Sequence, residues 1–291
     1  MPNLALMKLS AYHKNKGDNV FLNRCDRPDK VYAASVFTKS KLERERVNVV
    51  YPNATCGGTG YDLTTELEPE IESLMPDYSL YDIDYSIGFT SRGCIRKCQF
   101  CVVPEKEGGI RDVASFKDFL NPGSRYVEVL DNNFFVNPKW RDRIEEIKKL
   151  KLKVDFNQGL DIRLLDDEMA KSLVDIKIPY VRFAFDHIGN EKAVLKGIET
   201  LKKVGYPISR ARLGFYVLVG FNSTHEEDLY RCEFLHSRNI NTHVQVYEGA
   251  PPLTRHLARW ANKPWLWTQT SFKNYSNADK VRNQEVMNLG S

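Results

Sequence analysis

The stretch that decides the fold spans residues 88–101 and reads GFTSRGCIRKCQFC. It overlaps the end of a short run of β-type residues, Tyr85 to Phe89, and holds three of the six cysteines of the chain within eight residues: Cys94, Cys98 and Cys101. This spacing is too close for a disulfide framework, and the other cysteines show no paired pattern. Thiolates are the ligands of iron–sulfur clusters. Because a cubane cluster has four irons, three cysteines would leave one iron open to a small molecule.

The spacing C-x3-C-x2-C, with the aromatic Phe100 before the last cysteine, resembles the signature of radical S-adenosylmethionine (SAM) enzymes. The resemblance implies a [4Fe–4S] cluster held by Cys94, Cys98 and Cys101, with SAM chelated on the open iron. Reductive cleavage of SAM would then give a 5′-deoxyadenosyl radical that abstracts hydrogen from a substrate. The resemblance also implies that Phe100 lies beside the adenine and that a flavodoxin- or ferredoxin-like protein donates the electron.

Other readings of the cysteines stay open at this point. A zinc site would borrow a fourth ligand, such as His13 or His187, because structural zinc is four-coordinate. The thiols could also simply be buried. A hypothesis of a different class is a non-catalytic iron–sulfur or zinc module that binds nucleic acid through the C-terminal segment.

Length and composition limit the number of domains and the classes of protein to which the chain can belong. A chain of 291 residues suggests one large domain or two small ones, with ample apolar content for a core. No run approaches the length of a membrane span, and the N-terminus lacks a signal-peptide core, so we expect a cytoplasmic protein without a membrane partner. The net charge of +4 permits an anionic partner without demanding one.

Residues 1–80 predict a small α/β module. Its pattern indicates a first helix through Leu4, Met7, Leu9 and Tyr12 that ends near Gly17, followed by short strands at Val20–Leu22, Val31–Val36 and Val47–Val50. The glycine-containing loop Cys56–Asp62 could bring backbone N–H groups against a phosphate.

The order of these elements is similar to the tail of the cobalamin-binding domain found in one large radical SAM subfamily. The opening strand of that domain is missing, however, and Ala11 stands where its Asp-x-His-x-x-Gly motif would place an aspartate before His13. We therefore expect a truncated Rossmann-like module that packs against a barrel and binds no cobalamin. Cys25 and Cys56 are expected to be ordinary thiols, and Cys232 a core residue.

From residue 81 to about 250 the chain alternates strand and helix, the pattern of a parallel sheet with crossover helices. The candidate strands are Tyr85–Phe89, Tyr126–Leu130, Leu152–Phe156, Tyr180–Phe185, Leu213–Val219 and His243–Tyr247. Six such steps match the partial parallel (β/α)6 barrel of radical SAM enzymes. The predicted fold is therefore α/β, with this barrel following the small N-terminal module.

Parallel barrels collect their chemistry at the carboxyl ends of the strands. The resemblance implies cofactor contacts from residues that follow these ends: Asp131, Asn132 and Asn133 after the second strand, Gln158 and Arg163 after the third, and Gly220 after the fifth. Catalytic residues are not identified, although Asp186 and His187, after the fourth strand, are candidates for binding or for handling a proton.

Several of these candidates have a plainer alternative. A simple turn would explain the Asp-Asn-Asn run. Arg163 could pair on the surface with Asp166 or Asp167, and Asp186 and His187 could belong to a solvated loop.

The final segment, residues 251–291, mixes cations with aromatic rings. The cations are Arg255, Arg259, Lys263, Lys273, Lys280 and Arg282, opposed only by Asp279 and Glu285, and the rings are Trp260, Trp265, Trp267, Phe272 and Tyr275. Such a mixture can bind nucleic acid, so RNA is a possible partner. We favour burial of the aromatic rings against the open side of the barrel, because Trp-rich segments are usually buried.

Overall fold

Helices and strands alternate along the chain, and of the paired strands that the structure describes only one pair, β4–β5, is antiparallel. The computed structural model describes residues 2–23, 25–37 and 41–276. The chain divides into two units, Met1–Asn157 and Gln158–Ser291, each with its own parallel sheet. The domain boundaries predicted near residues 80 and 250 stay predictions.

The first unit holds the elements α1 (Leu4–Asn15), β1 (Tyr32–Ala34), α2 (Lys41–Val50), β2 (Thr55–Gly57), α3 (Pro69–Glu72), β3 (Ser86–Gly88), β4 (Ser91–Arg92), α4 (Val103–Lys106), β5 (Arg111–Asp112), β6 (Tyr126–Val129), α5 (Trp140–Leu150) and β7 (Lys153–Phe156). Its main sheet has the parallel order β3-β6-β7, while β1 pairs with β2 in a separate parallel pair.

Alternation of side chains explains this sheet. Val127 and Val129 of β6 are buried while Tyr126 is exposed, as a period of two requires. Helix α5 buries Trp140, Ile144 and Ile147, which lie at helical spacing on one face. Its boundaries and those of β6 and β7 therefore follow from the sequence pattern.

The second unit holds α6 (Asp167–Asp175), β8 (Val181–Ala184), α7 (Glu191–Lys203), β9 (Leu213–Val219), α8 (His225–His236), β10 (Asn241–Val246), α9 (Pro252–Ala261) and α10 (Pro264–Trp267). The sheet order is β10-β9-β8, all parallel. Helix α8 starts at a capping box in which Thr224 and Glu227 bond reciprocally. None of the helices within the described ranges is both long enough and apolar enough to span a bilayer.

The six strands predicted for the barrel are all present, each within two residues of its predicted ends. They form two three-stranded parallel sheets, one in each unit. The α/β class and the parallel pairing are confirmed, whereas closure into a (β/α)6 barrel stays a prediction.

Two strand predictions in the N-terminal module are wrong. Val20–Leu22 has no strand partner, Phe21 is 62% exposed, and the left-handed backbone of Asn23 (φ 64°) bends the chain directly after it. Val47–Val50 is the end of helix α2. Strong helix formers precede these valines, and Lys41 pairs with Glu45 one turn on at 3.6 Å, so the helix propagates through them.

The aromatic residues of the C-terminal segment divide between interior and surface. Trp260 and Phe272 are buried, and the Trp260 indole N–H donates to the Thr270 carbonyl at 2.9 Å. Trp267 stacks on His236 with ring centroids 4.1 Å apart, whereas Trp265 is exposed. Four charged residues of this segment lie outside the described residues: Asp279, Lys280, Arg282 and Glu285.

Candidate metal centre

The three clustered cysteines lie on a loop whose two ends pair with each other. Strand β4 precedes the loop and β5 follows it, and the two strands pair antiparallel with Ser91 opposite Asp112. Cys94, Cys98 and Cys101 are all partly accessible. We call residues 93–110 the cysteine loop. The β4–β5 pair therefore closes the base of the loop that carries the thiols.

Gly93 allows the two limbs of the cysteine loop to approach each other. Its φ is +82°, and a Cβ there would lie 2.2 Å from the Gly109 carbonyl oxygen. Cys94 N–H donates to the Gly108 carbonyl in the same region. Only glycine combines this positive φ with so close a backbone contact.

Asp131, at the end of β6, holds the chain just before the cysteine loop. Its carboxylate accepts from the N–H of Thr90 (2.6 Å), the N–H of Ser91 (3.1 Å) and both hydroxyl groups. The side chain is 3% exposed, and burial raises its pKa. The residue therefore anchors the loop through contacts that the Asp-Asn-Asn pattern did not reveal.

Glu107, at the end of α4, is a further organiser that sequence reasoning missed. Its carboxylate accepts from the Gly93 N–H and from the Asn132 side-chain amide, both at 2.8 Å, and lies 3.5 Å from the Arg92 guanidinium. A lone acid in a loop carries no sequence signal, because its partners come from β4 and from the turn after β6. Glu107 thus ties the predicted Asn132 to the cysteine loop.

A second set of contacts holds the base of the loop. Arg143 of α5 is buried and bonds both carboxylate oxygens of Asp112, at 2.9 and 3.0 Å. Burial opposes ionisation of Asp112, but hydrogen bonds from Arg143, Lys139 and Asn137 outweigh it and lower the pKa. The β4–β5 pair is therefore fastened to the neighbouring helix.

The cysteine side chains interact with one another. Burial raises the pKa of Cys101, and the negative charges of Cys98, Cys94 and Glu107 raise it further. The Arg96 N–H donates to the Cys94 sulfur at 3.4 Å, a contact of the kind that tunes cluster-ligating thiolates. Within the described ranges, no group of three or more His, Cys, Asp or Glu side chains is arranged to hold a single metal ion.

The donor set fits an iron–sulfur cluster, since soft sulfur ligands on one loop are the ligands that such clusters take. The zinc alternative with His13 is less favoured. Both ring nitrogens of His13 already have partners, Nδ1 with Asp18 at 2.6 Å and Nε2 with the Tyr32 hydroxyl at 2.9 Å.

Asn133 is buried, and its Oδ1 has no hydrogen-bond partner among the residues that the structure describes. Buried polar atoms normally have hydrogen-bond partners, so this acceptor is a candidate to bind a donor group of a ligand. Phe100, on the cysteine loop, is partly accessible. The first unit therefore brings the predicted residues Asn132 and Asp131 to the cysteine loop and leaves Asn133 with an unused acceptor.

The remaining candidates belong to the second unit. Arg163 forms a two-pronged pair with Asp161 (2.6 and 2.9 Å), while Asp166 caps α6 through the Met169 N–H. Arg163 thus forms an ion pair with Asp161, and its role toward SAM stays a prediction. Gln158 is exposed.

Asp186 and His187 have different environments. Asp186 accepts from the Leu218 N–H at 2.9 Å, and burial raises its pKa. His187 is exposed, and its Nδ1 accepts a hydrogen bond from the Gly189 N–H at 3.0 Å. The His187 side chain thereby caps the short 3-10 helix Ile188–Asn190. His187 therefore fits the interpretation as a residue of a solvated loop. Asp186 stays a candidate for binding or for handling a proton.

The turn after β9 is held by a buried ion pair that sequence reasoning missed. Gly220 (φ +77°) donates its N–H to Asp228 at 2.8 Å, and a Cβ there would lie 2.4 Å from the Ala250 Cβ. Arg231, fully buried, pairs with Asp228 and also donates to the carbonyls of Phe185 (2.7 Å) and Leu218 (2.9 Å). Arginine is a residue type usually found at the surface, so residue type alone does not predict this burial.

The glycine-containing loop of the N-terminal module uses its backbone internally. Gly60 donates to the Ser35 carbonyl, and Tyr61 and Asp62 donate to the Gly58 carbonyl. A Cβ at Gly58 would lie 2.5 Å from the Ser35 oxygen, so this glycine serves backbone packing. The structure gives no support to a phosphate site there.

A scan against protein-family models and a search of curated proteins gave no match. Among solved structures, the chain is similar to methylornithine synthase (PylB), with 14% sequence identity and a TM-score of 0.41. The similarity covers 62% of this chain and 57% of the length of that protein.

Proposed function

We propose that this chain is a radical SAM enzyme that binds one [4Fe–4S] cluster and reductively cleaves SAM. One observation supports this most strongly: Cys94, Cys98 and Cys101 share a loop that begins five residues after the parallel strand β3 ends and is closed at its base by the β4–β5 pair. Three thiolates and the aromatic Phe100 at this spacing match the radical SAM signature.

The cysteine loop would hold the cluster through its three sulfurs, and the Arg96 N–H would stabilise the Cys94 thiolate. A bound cluster supplies the electron for SAM cleavage, which begins the radical chemistry. We propose a flavodoxin- or ferredoxin-like protein as the electron source and no role for cobalamin. Asp131 and Glu107 would act by holding the loop in place, since their carboxylates are occupied by protein groups.

Several residues would contact SAM. Phe100 offers its ring to the adenine, and the orphaned Oδ1 of Asn133 is the acceptor that an amino group requires. For Gln158, Arg163, Asp186 and Gly220 of the second unit, a role toward SAM stays a prediction from the resemblance.

The test is anaerobic reconstitution of the full chain with iron and sulfide. We expect about four irons per chain, a brown chromophore that bleaches in air, and release of 5′-deoxyadenosine from SAM in the presence of dithionite. Cys98→Ala should abolish all three. Cys25→Ser, which changes an exposed cysteine outside the loop, is the matched control and should behave as wild type.

A colourless protein that carries stoichiometric zinc would contradict the proposal. Protein that binds the cluster without turning over SAM would instead favour a non-catalytic iron–sulfur module.

A further inference from the structure

The chain between residues 249 and 276 has an unbalanced charge. It contains four Arg or Lys residues (Arg255, Arg259, Lys263 and Lys273) and no Asp or Glu. All four cations are exposed. A local excess of positive charge on the surface attracts anionic partners.

Helix α9 separates its apolar side chains from its cations. Leu257 and Trp260 are buried, whereas Arg255 and Arg259, one turn apart, are exposed neighbours on the helix surface. Arg255 and Arg259 are separated by about one helical turn, 5.4 Å. Lys263 lies just beyond the helix, before α10, and adds a third positive charge.

Trp265 adds an exposed ring to these cations. It is 61% exposed, while the nearby Trp260 is 3% exposed. The ammonium group of Lys263 lies 5.6 Å from the centroid of the Trp265 ring. A large indole exposed to solvent beside a cation has a flat face available for stacking. Exposing its apolar surface to water is unfavourable, and a ligand that covers the ring would remove that cost.

We propose that Arg255, Arg259, Lys263 and Trp265, together the α9–α10 surface, bind single-stranded nucleic acid. The cations contact phosphates, and the Trp265 ring stacks on a base. Charge alone would suit any polyanion, but the exposed ring favours a partner with planar groups between its charges. The inference goes beyond the proposed function and does not depend on the cluster.

The test measures fluorescence anisotropy of labelled 15-nucleotide oligo(U) and oligo(dT) with the full-length holoprotein at several salt concentrations. Trp265→Ala should weaken binding about tenfold, and Trp265→Phe, which keeps a ring, should restore most of the loss. The double variant Arg255→Ala/Lys263→Ala should make the slope of log K against log salt shallower by about 1.4, because each phosphate contact contributes about 0.7.

Lys171→Ala is the matched control. It removes an exposed charge on α6, which packs against α7, whereas α9 packs against β10 and α10. Its affinity and salt slope should equal those of wild type. Circular dichroism melts verify that each variant is folded, and preference between the two oligonucleotides distinguishes RNA from DNA.

Three outcomes would overturn the inference. The first is unchanged affinity in Trp265→Ala together with an unchanged slope in the double variant. The second is oligonucleotide binding no tighter than that of heparin, a polyanion without bases. The third is binding to anionic phospholipid vesicles with none to either oligonucleotide. Oligonucleotide binding by a protein that fails to cleave SAM would count only against the proposed enzyme activity.

Discussion

Asp131 shows how a single side chain can position a reactive loop without belonging to it. The carboxylate is buried and accepts from two backbone N–H groups and two hydroxyl groups of Thr90 and Ser91. All four donors precede Cys94 by only three or four residues. This one carboxylate therefore holds two of the residues that link β3 to the cysteine loop.

Replacing Asp131 by Asn tests that role. One carboxylate oxygen becomes an NH2 group facing hydroxyl and N–H donors, so at least one buried donor loses its acceptor, at a cost of about 1–3 kcal/mol. We expect a lower free energy of unfolding and a lower iron content after reconstitution, measured by urea denaturation and iron analysis. Asp84→Asn, an exposed carboxylate in the same unit, is the control. Wild-type values for Asp131→Asn would mean that the loop is held by its other contacts.

Helix α8 organises the carboxyl edge of the second sheet. Arg231 donates to carbonyl groups at the ends of β8 and β9, and Asp228 receives the N–H of Gly220 and the hydroxyl of Ser223. The two side chains pair with each other in the interior. One helical turn thus connects two strand ends and the turn that follows β9.

Arg231→Met should destabilise the protein by about 3–5 kcal/mol, because it leaves the Asp228 carboxylate buried without its cation. Urea denaturation at neutral pH measures the loss. The double variant Arg231→Met/Asp228→Asn should recover part of that loss, since both charges are then removed. If the double variant loses as much as the two single variants combined, the two side chains act independently and the ion pair is not the cause.

At the scale of the whole molecule, one buried histidine ties stability to pH. Burial lowers the pKa of His236 from 6.5 to about 3. Its ring stacks on Trp267, and its Nε2 lies 3.0 Å from the Thr242 hydroxyl. The folded protein therefore holds this imidazole neutral at a pH where the unfolded chain binds a proton.

The sign of the effect follows from this difference. Above pH 6.5 His236 is neutral in both states and contributes no pH dependence, whereas between pH 6.5 and 3 the free energy of unfolding falls as the pH falls. At pH 5 the protonation of His236 in the unfolded chain lowers the free energy of unfolding by about 2 kcal/mol. His236→Phe keeps a stacking ring and removes the titration, so its stability should fall by about that much less between pH 7 and 5. Urea titrations followed by tryptophan fluorescence measure this, and parallel curves for both proteins would contradict it.

Local patterns in the sequence were sufficient for much of the architecture. The strands predicted at Tyr126–Leu130 and Leu213–Val219 match β6 and β9. The cysteine triad identified a candidate metal centre from spacing alone. Such features depend on residues a few positions apart, where propensity and side-chain chemistry act directly.

Contacts between distant segments could be decided only by the tertiary structure. Glu107 meets Asn132, and Asp131 meets Thr90 and Ser91, across 25 to 41 residues of chain. The valines of α2 are helical because the residues before them are, and the buried Arg231 looks like a surface residue until β8 and β9 surround it. By itself, the sequence determined the six strands of the two three-stranded sheets and where the thiols lie, but not the elements of the N-terminal module. Which carboxylates hold the cysteine loop, and which tryptophan faces solvent, was decided by packing, because burial and hydrogen-bond partners exist only once distant segments meet.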